Sequence, residues 1–189
     1  MIDDKVAQTA IVRAFDLLPT IPTDLSVDDV PTCDTSVDID SDDGMSDLLD
    51  HIEDKHNCTF LEWIVPWGDE CPGADGAVWI GILPRSGSPA GLARGNTLVV
   101  GPSQLDIAHE LGHTLNLHHV NPQLQCGVAP DQDREFDILP NGGAIRIGDA
   151  LDPSGVLVLE GYDGLHDFMT YACKKWVSRD TWMRLFSKF

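Results

Sequence analysis

Basic side chains are scarce in this chain: 12 lysines and arginines stand against 31 aspartates and glutamates, a formal charge of −19. Such a surface repels phosphate backbones and anionic lipid, so no nucleic-acid partner is expected. Also missing is any stretch near the roughly 20 apolar residues that a membrane helix needs, so no membrane span is expected. The five cysteines, Cys33, Cys58, Cys71, Cys126 and Cys173, form no CxxC pair. That argues against a thiolate zinc site and for disulfides, hence for a secreted or cell-surface protein. Met1-Ile2-Asp3-Asp4-Lys5 does not open a signal peptide, and flanking domains in a longer native protein are expected.

What is present fits one domain over residues 1–189, long enough to bury a core. Thr9 to Leu18 is rich in apolar and β-branched residues and ends at Pro19, which predicts a strand. Asp38, Asp40, Asp42, Asp43 and Gly44 have the look of a calcium loop, with Asp50 in approximate register for its last ligand, so Ca²⁺ is a candidate ion. A helix is predicted from about Ser46 to His56, with Leu48, Leu49 and Ile52 on one face. Phe60–Val65, Ala77–Leu83 and Thr97–Val100 have strand length and composition, and Leu92-Ala93 marks a weaker edge strand. A hairpin is predicted from Ala144–Ile147 and Val156–Leu159. Ser178 caps a last helix whose Trp182, Leu185, Phe186 and Phe189 form an apolar stripe, read as core. This order of elements is that of an α+β fold with a mixed, twisted sheet.

The chemistry lies after Gly101-Pro102. Ser103 with Asp106 three positions on is an approximate capping box, and Leu105, Ala108, Leu111 and Leu115 then recur at helical spacing. The other face of that helix carries His109-Glu110-Leu111-Gly112-His113. Residues four apart stack on one face, so two imidazoles reach one ion. Glu110, about 100° around the axis, stays outside the ligand shell and reaches a water as general base. Six residues after His113 comes His119, with His118 as the adjacent alternative. Three protein ligands leave a fourth position open, as catalytic rather than structural zinc requires. For the third histidine to swing back, the helix must stop near Asn116 in a left-handed conformation, which asparagine tolerates best after glycine.

The pattern His-Glu-x-x-His-x-x-Asn-x-x-His resembles the long zinc signature of the metzincin metallopeptidases, which normally has glycine where this chain has Asn116. Met169 and Tyr171 resemble the methionine turn of that group, several of whose subfamilies carry a tyrosine two residues after the methionine. The likeness spans about Val78 to Trp182. It implies an active-site helix in an upper lobe of about 1–117 and an irregular lower lobe of about 118–189 ending in a helix. It implies zinc on His109, His113 and His119, Met169 as an apolar floor beneath them, and Tyr171 on the metal or the oxyanion. It also places Cys126 and Cys173 where one disulfide ties the lower lobe.

The resulting expectation is a zinc endopeptidase acting on protein or peptide substrates, with Glu110 as base, Tyr171 assisting, and substrate extended along the edge strand near Gly91 to Arg94. The alternative is a catalytically silent zinc-binding adhesion or recognition module. Glu110 weighs against it, since a silent site has no physical need of a base beside the metal.

Overall fold

A computed structural model of the chain describes residues 4–19, 37–56, 78–84, 90–121, 126, 136–137, 139 and 165–188. The segment predicted as the first strand is instead helix α1, Asp4–Phe15. The apolar run from Thr9 hides a helical period that becomes visible from Ala7: Ala7, Ala10, Ile11 and Ala14 are buried at spacings of three and four, while Val6 and Val12 are exposed. Small alanines on the inner face let α1 lie close against its neighbour. Leu17 and Leu18 continue the core in the turn after it.

Helix α2, Asp42–His56, starts four residues earlier than predicted. Asp42 and Asp43 lie in its first turn, where the helix dipole favours carboxylates. Asp38 closes the turn before it: its carbonyl accepts from the Ser41 N–H at 3.1 Å and its carboxylate from the Asp40 N–H at 3.1 Å. Gly44 and Asp50 are helical residues, and among the described residues the acidic side chains here are not among the groups that converge as potential metal ligands. Asp50 pairs with Arg94.

Three strands form a mixed sheet: β1, Trp79–Ile82; β2, Gly91–Arg94; and β3, Thr97–Val100. β3 is central, parallel to β1 and antiparallel to β2. The β2–β3 hairpin turns on Gly95-Asn96, with Gly95 at φ 58°, which glycine adopts without strain. Alternation along β3 divides the core in two. Leu98 and Val100 join the residues of α1 and of α3, Gln104–Thr114, while Val99 joins Met45, Leu48 and Leu49 of α2. The sheet thus lies between α2 on one face and α1 with α3 on the other, an α+β architecture.

Beyond α3 the chain makes short pairs: β4, His119–Val120, with β5, Phe136–Asp137, and β6, Leu165–Asp167, with β7, Lys174–Trp176, both parallel. Helix α4, Arg179–Phe186, begins at Ser178, whose side chain accepts from the Thr181 N–H. Its predicted stripe is only half right. Leu185 is fully buried and Trp182 packs on the core, but Phe186 is 61% exposed. The strand predicted at Phe60–Val65, the hairpin at residues 144–159, and Cys33, Cys58, Cys71 and Phe189 lie outside the described residues. Among the described residues no helix is long and apolar enough to cross a membrane.

Candidate metal centre

Helix α3 presents the site. Its N-terminus is capped as the sequence predicts, Ser103 Oγ accepting from the Asp106 N–H at 3.4 Å. Its C-terminus is a Schellman motif built on Asn116 at φ 60°. The Asn116 N–H donates to His113 O at 2.8 Å, and the Leu117 N–H to Gly112 O at 2.9 Å. This reversal sends the chain back along the helix, so that His119, six residues on, faces His109 and His113. His119 Nε2 stands 3.1 Å from His109 Nε2 and 3.1 Å from His113 Nε2.

The opposite ring nitrogens fix the proton on two of these imidazoles, His109 and His113. His109 Nδ1 lies 2.8 Å from Phe168 O, and His113 Nδ1 lies 2.9 Å from Leu117 O. Carbonyls only accept, so each Nδ1 holds the proton and each Nε2 turns a bare lone pair toward its neighbours. Two bare lone pairs converging with a third imidazole nitrogen make a seat suited to a cation. Tetrahedral zinc with its usual imidazole bonds sets nitrogens about 3.3 Å apart, close to the spacing here. Among the described residues these three histidines are the group that converges as potential metal ligands. His118 is not part of that group, and its backbone N–H donates to Asp137 Oδ2 at 3.3 Å. Burial, then the proximity of His113, Lys175 and His119, each disfavouring a proton on His109, holds its pKa well below the ordinary value against the opposing Phe168 hydrogen bond. The imidazole therefore stays neutral, as a ligand must.

Met169 and Tyr171 lie at the same place. Residues 167–170 form a tight turn, the Thr170 N–H donating to Asp167 O at 3.0 Å. Met169 is buried against α3 at Gly112: a Cβ at Gly112 would stand 2.5 Å from Met169 Sδ. The second variable position of the motif is thus glycine because methionine sulfur occupies the space. The Tyr171 hydroxyl lies 2.8 Å from His119 Nε2, on the metal-facing side of that ring. The turn also fixes the ligands through its backbone, since Phe168 O holds His109 and Met169 O accepts from the Val120 N–H at 2.9 Å. Cys126 and Cys173 lie at disulfide-bonding distance, Cα to Cα 4.8 Å, and the Cys126 N–H donates to Tyr171 O.

Glu110 is buried, 6% exposed, and its carboxylate lies directly under Gly91 of β2. The edge strand expected at Leu92-Ala93 is therefore present and in contact with the predicted base.

Sequence reasoning missed the residues that support these groups. Asp167 is fully buried, its Oδ1 accepting from the Met169 N–H at 2.9 Å and its Oδ2 from the Ser178 N–H at 3.0 Å. Burial pushes its carboxyl pKa up, while hydrogen bonds from Ser178, Met169 and Thr181 pull against that. Asp137 pairs with Arg184 of α4 at 2.9 Å while accepting from the His118 N–H, and Lys188 donates to Leu115 O at the end of α3. An acid beside Phe168 and Met169 was the visible signal for Asp167; nothing in the spacing marked Asp137.

Searches against protein-family models, curated proteins and solved structures match this chain to none of them. The class that fold and site define is an α+β protein with a potential three-histidine metal centre beside a buried glutamate, the arrangement of a metal-dependent active site.

Proposed function

We propose that residues 1–189 are one catalytic domain of a metzincin-like zinc endopeptidase, with the substrate cleft between an upper lobe of about 1–117 and a lower lobe of about 118–189. The observation that carries this reading is the convergence of three Nε2 atoms, those of His109 and His113 proton-free, with Glu110 on the same helix and Tyr171 at the same centre. His109, His113 and His119 hold the metal and Met169 floors them.

A zinc ion held there would supply Lewis acidity to the scissile carbonyl and to a water near neutrality. Glu110 accepts that water's proton and returns it to the leaving amine, its burial keeping competing water away. The Tyr171 hydroxyl, freed from His119 Nε2, donates to the oxyanion at the tetrahedral carbon, a contact worth about 3 kcal/mol for one well-placed donor. Among the described residues β2 pairs with β3 alone. Its other edge takes an extended peptide by backbone pairing. The disulfide and the reading of the chain as secreted or cell-surface belong to the same proposal.

The test is digestion of a mixed peptide library, with cuts mapped by mass spectrometry in the presence and absence of chelator. Chelator-sensitive cleavage is expected, and Glu110→Gln should keep its zinc while losing nearly all activity. A fully active Glu110→Gln would end the mechanism. Bound zinc with no peptide cut would instead favour a silent recognition module.

A further inference from the structure

We infer that Gly91, the first residue of β2, is a positioning residue for Glu110: the side chain missing there is the seat that fixes where the carboxylate lies. Its catalytic meaning rests on the hydrolytic reading above; its geometry does not. A Cβ at Gly91 would stand 2.7 Å from Glu110 Cγ, 2.9 Å from Oε1 and 3.0 Å from Cδ. Carbon atoms in good contact sit about 3.5–4.0 Å apart, so any other residue at 91 must push the carboxylate or the strand aside.

The backbone does not itself ask for glycine at this position. Gly95 is the described glycine with positive φ, and Gly91 is an ordinary strand residue. Glycine weakens a strand, and where one persists without a conformational reason, close approach of another group accounts for it. Here that group is Glu110.

The backbones that carry the two partners are both held, so the side chain of Glu110 has to take up the displacement. Glu110 sits on α3, whose neighbouring His109 is tied to Phe168 O. β2 is held along its length: Gly91 is in register with Val100, and the Gly101 N–H donates to Ala90 O at 3.1 Å just beyond. At the far end Arg94 forks onto Glu53 of α2 at 3.1 and 3.0 Å and reaches Asp50. The carboxylate is therefore set by the strand that would pair with substrate, so that base and peptide backbone share one reference frame. A displaced base costs rate steeply, on the order of 100-fold for about 1 Å.

The experiment is a double-mutant cycle on the full chain with Gly91→Ala, Glu110→Ala and the double variant, read by thermal unfolding and zinc content. Gly91→Ala should lower Tm by several degrees when Glu110 is present and by little once Glu110 is truncated, with zinc content equal throughout. Should Gly91→Ala fail to fold, recovery of folding in the double variant carries the same meaning. An equal drop in both backgrounds, or a double variant no better than Gly91→Ala, overturns the inference.

On a peptide the wild-type protein cuts, Gly91→Ala should lose from tenfold to about 100-fold in kcat, with KM nearly unchanged. A raised KM at unchanged kcat would show that the glycine serves substrate docking instead, and would overturn the positioning role. If the wild-type protein cuts no peptide, the hydrolytic reading fails, and the unfolding cycle still decides the contact.

Discussion

At the scale of single residues, Asn116 carries the most consequence for its size. Its φ of 60° builds the Schellman turn that aims Leu117 O at His113 Nδ1 and sends His119 back to the centre. Asn116→Gly is expected to be neutral or to stabilise by up to about 1 kcal/mol, because glycine adopts this conformation without a steric penalty. Asn116→Val should cost about 1–2 kcal/mol, and zinc affinity should fall with it as His119 loses its aim. Urea unfolding and competition with a chromogenic chelator measure the two effects; a valine variant with wild-type zinc affinity would separate the turn from the ligand geometry. This turn was legible in the sequence, since a third ligand six residues after the second demands a reversal and only one intervening residue type suits it. Gly91 and Gly112 were not, because what excludes a side chain at each comes from a distant segment.

At the scale of elements, α4 supports the centre without touching the metal ligands. Asp167 joins the methionine turn to the start of that helix, with both carboxylate oxygens accepting backbone N–H groups. Asp167→Asn turns one acceptor into a donor facing the Ser178 N–H, leaving a buried donor unsatisfied at a cost of about 1–3 kcal/mol. Chemical denaturation checks this, and unchanged stability would contradict it. The other end of α4 holds the ligand-bearing loop through Arg184, Asp137 and the His118 N–H. The Arg184 pair is partly exposed and worth no more than about 1 kcal/mol to overall stability. Asp137→Ala should nonetheless weaken zinc binding about tenfold, as loss of a supporting hydrogen bond around a metal site typically does. Chelator competition at matched folded fractions would detect it, and an unchanged affinity would exclude the support. The helix itself was legible from its serine cap and apolar spacing. That Phe186 faces outward while Leu185 is buried was not, because the rotation of a short helix is decided by what it packs on.

At the scale of the molecule, the centre couples stability to pH. The His109 pKa is depressed in the folded protein, whereas in the unfolded chain it returns to about 6.5. Below that value the unfolded chain takes up a proton that the folded protein refuses. The contribution of His109 is therefore fully present above about pH 6.5 and is lost as pH falls toward the folded pKa. Metal-free protein titrated with urea between pH 8 and 5 should show a falling unfolding midpoint on the acid side. A midpoint that rises on acidification would contradict the buried neutral imidazole. Zinc should also be lost over the same acid range, since ligation requires neutral histidine.

The amino-acid sequence by itself determined what depends on neighbours along one chain. The helix face carrying His109 and His113, the cap at Ser103 and the left-handed stop at Asn116 all follow from local periodicity and backbone sterics. The pairing of Met169 and Tyr171 with the zinc motif was visible only as a resemblance between two separate segments. Tertiary structure alone decided the rest. It made a helix of Asp4–Phe15 where a strand was expected from Thr9, because burial of alanines against α3 outweighs the local preference of β-branched residues for strands. It drew the acidic residues after Asp38 into the start of α2. It also set Glu110 under Gly91, Met169 under Gly112, and Asp137 behind His118. Each is a contact between residues far apart in the chain, where packing space and hydrogen-bond satisfaction, not sequence spacing, choose the partner.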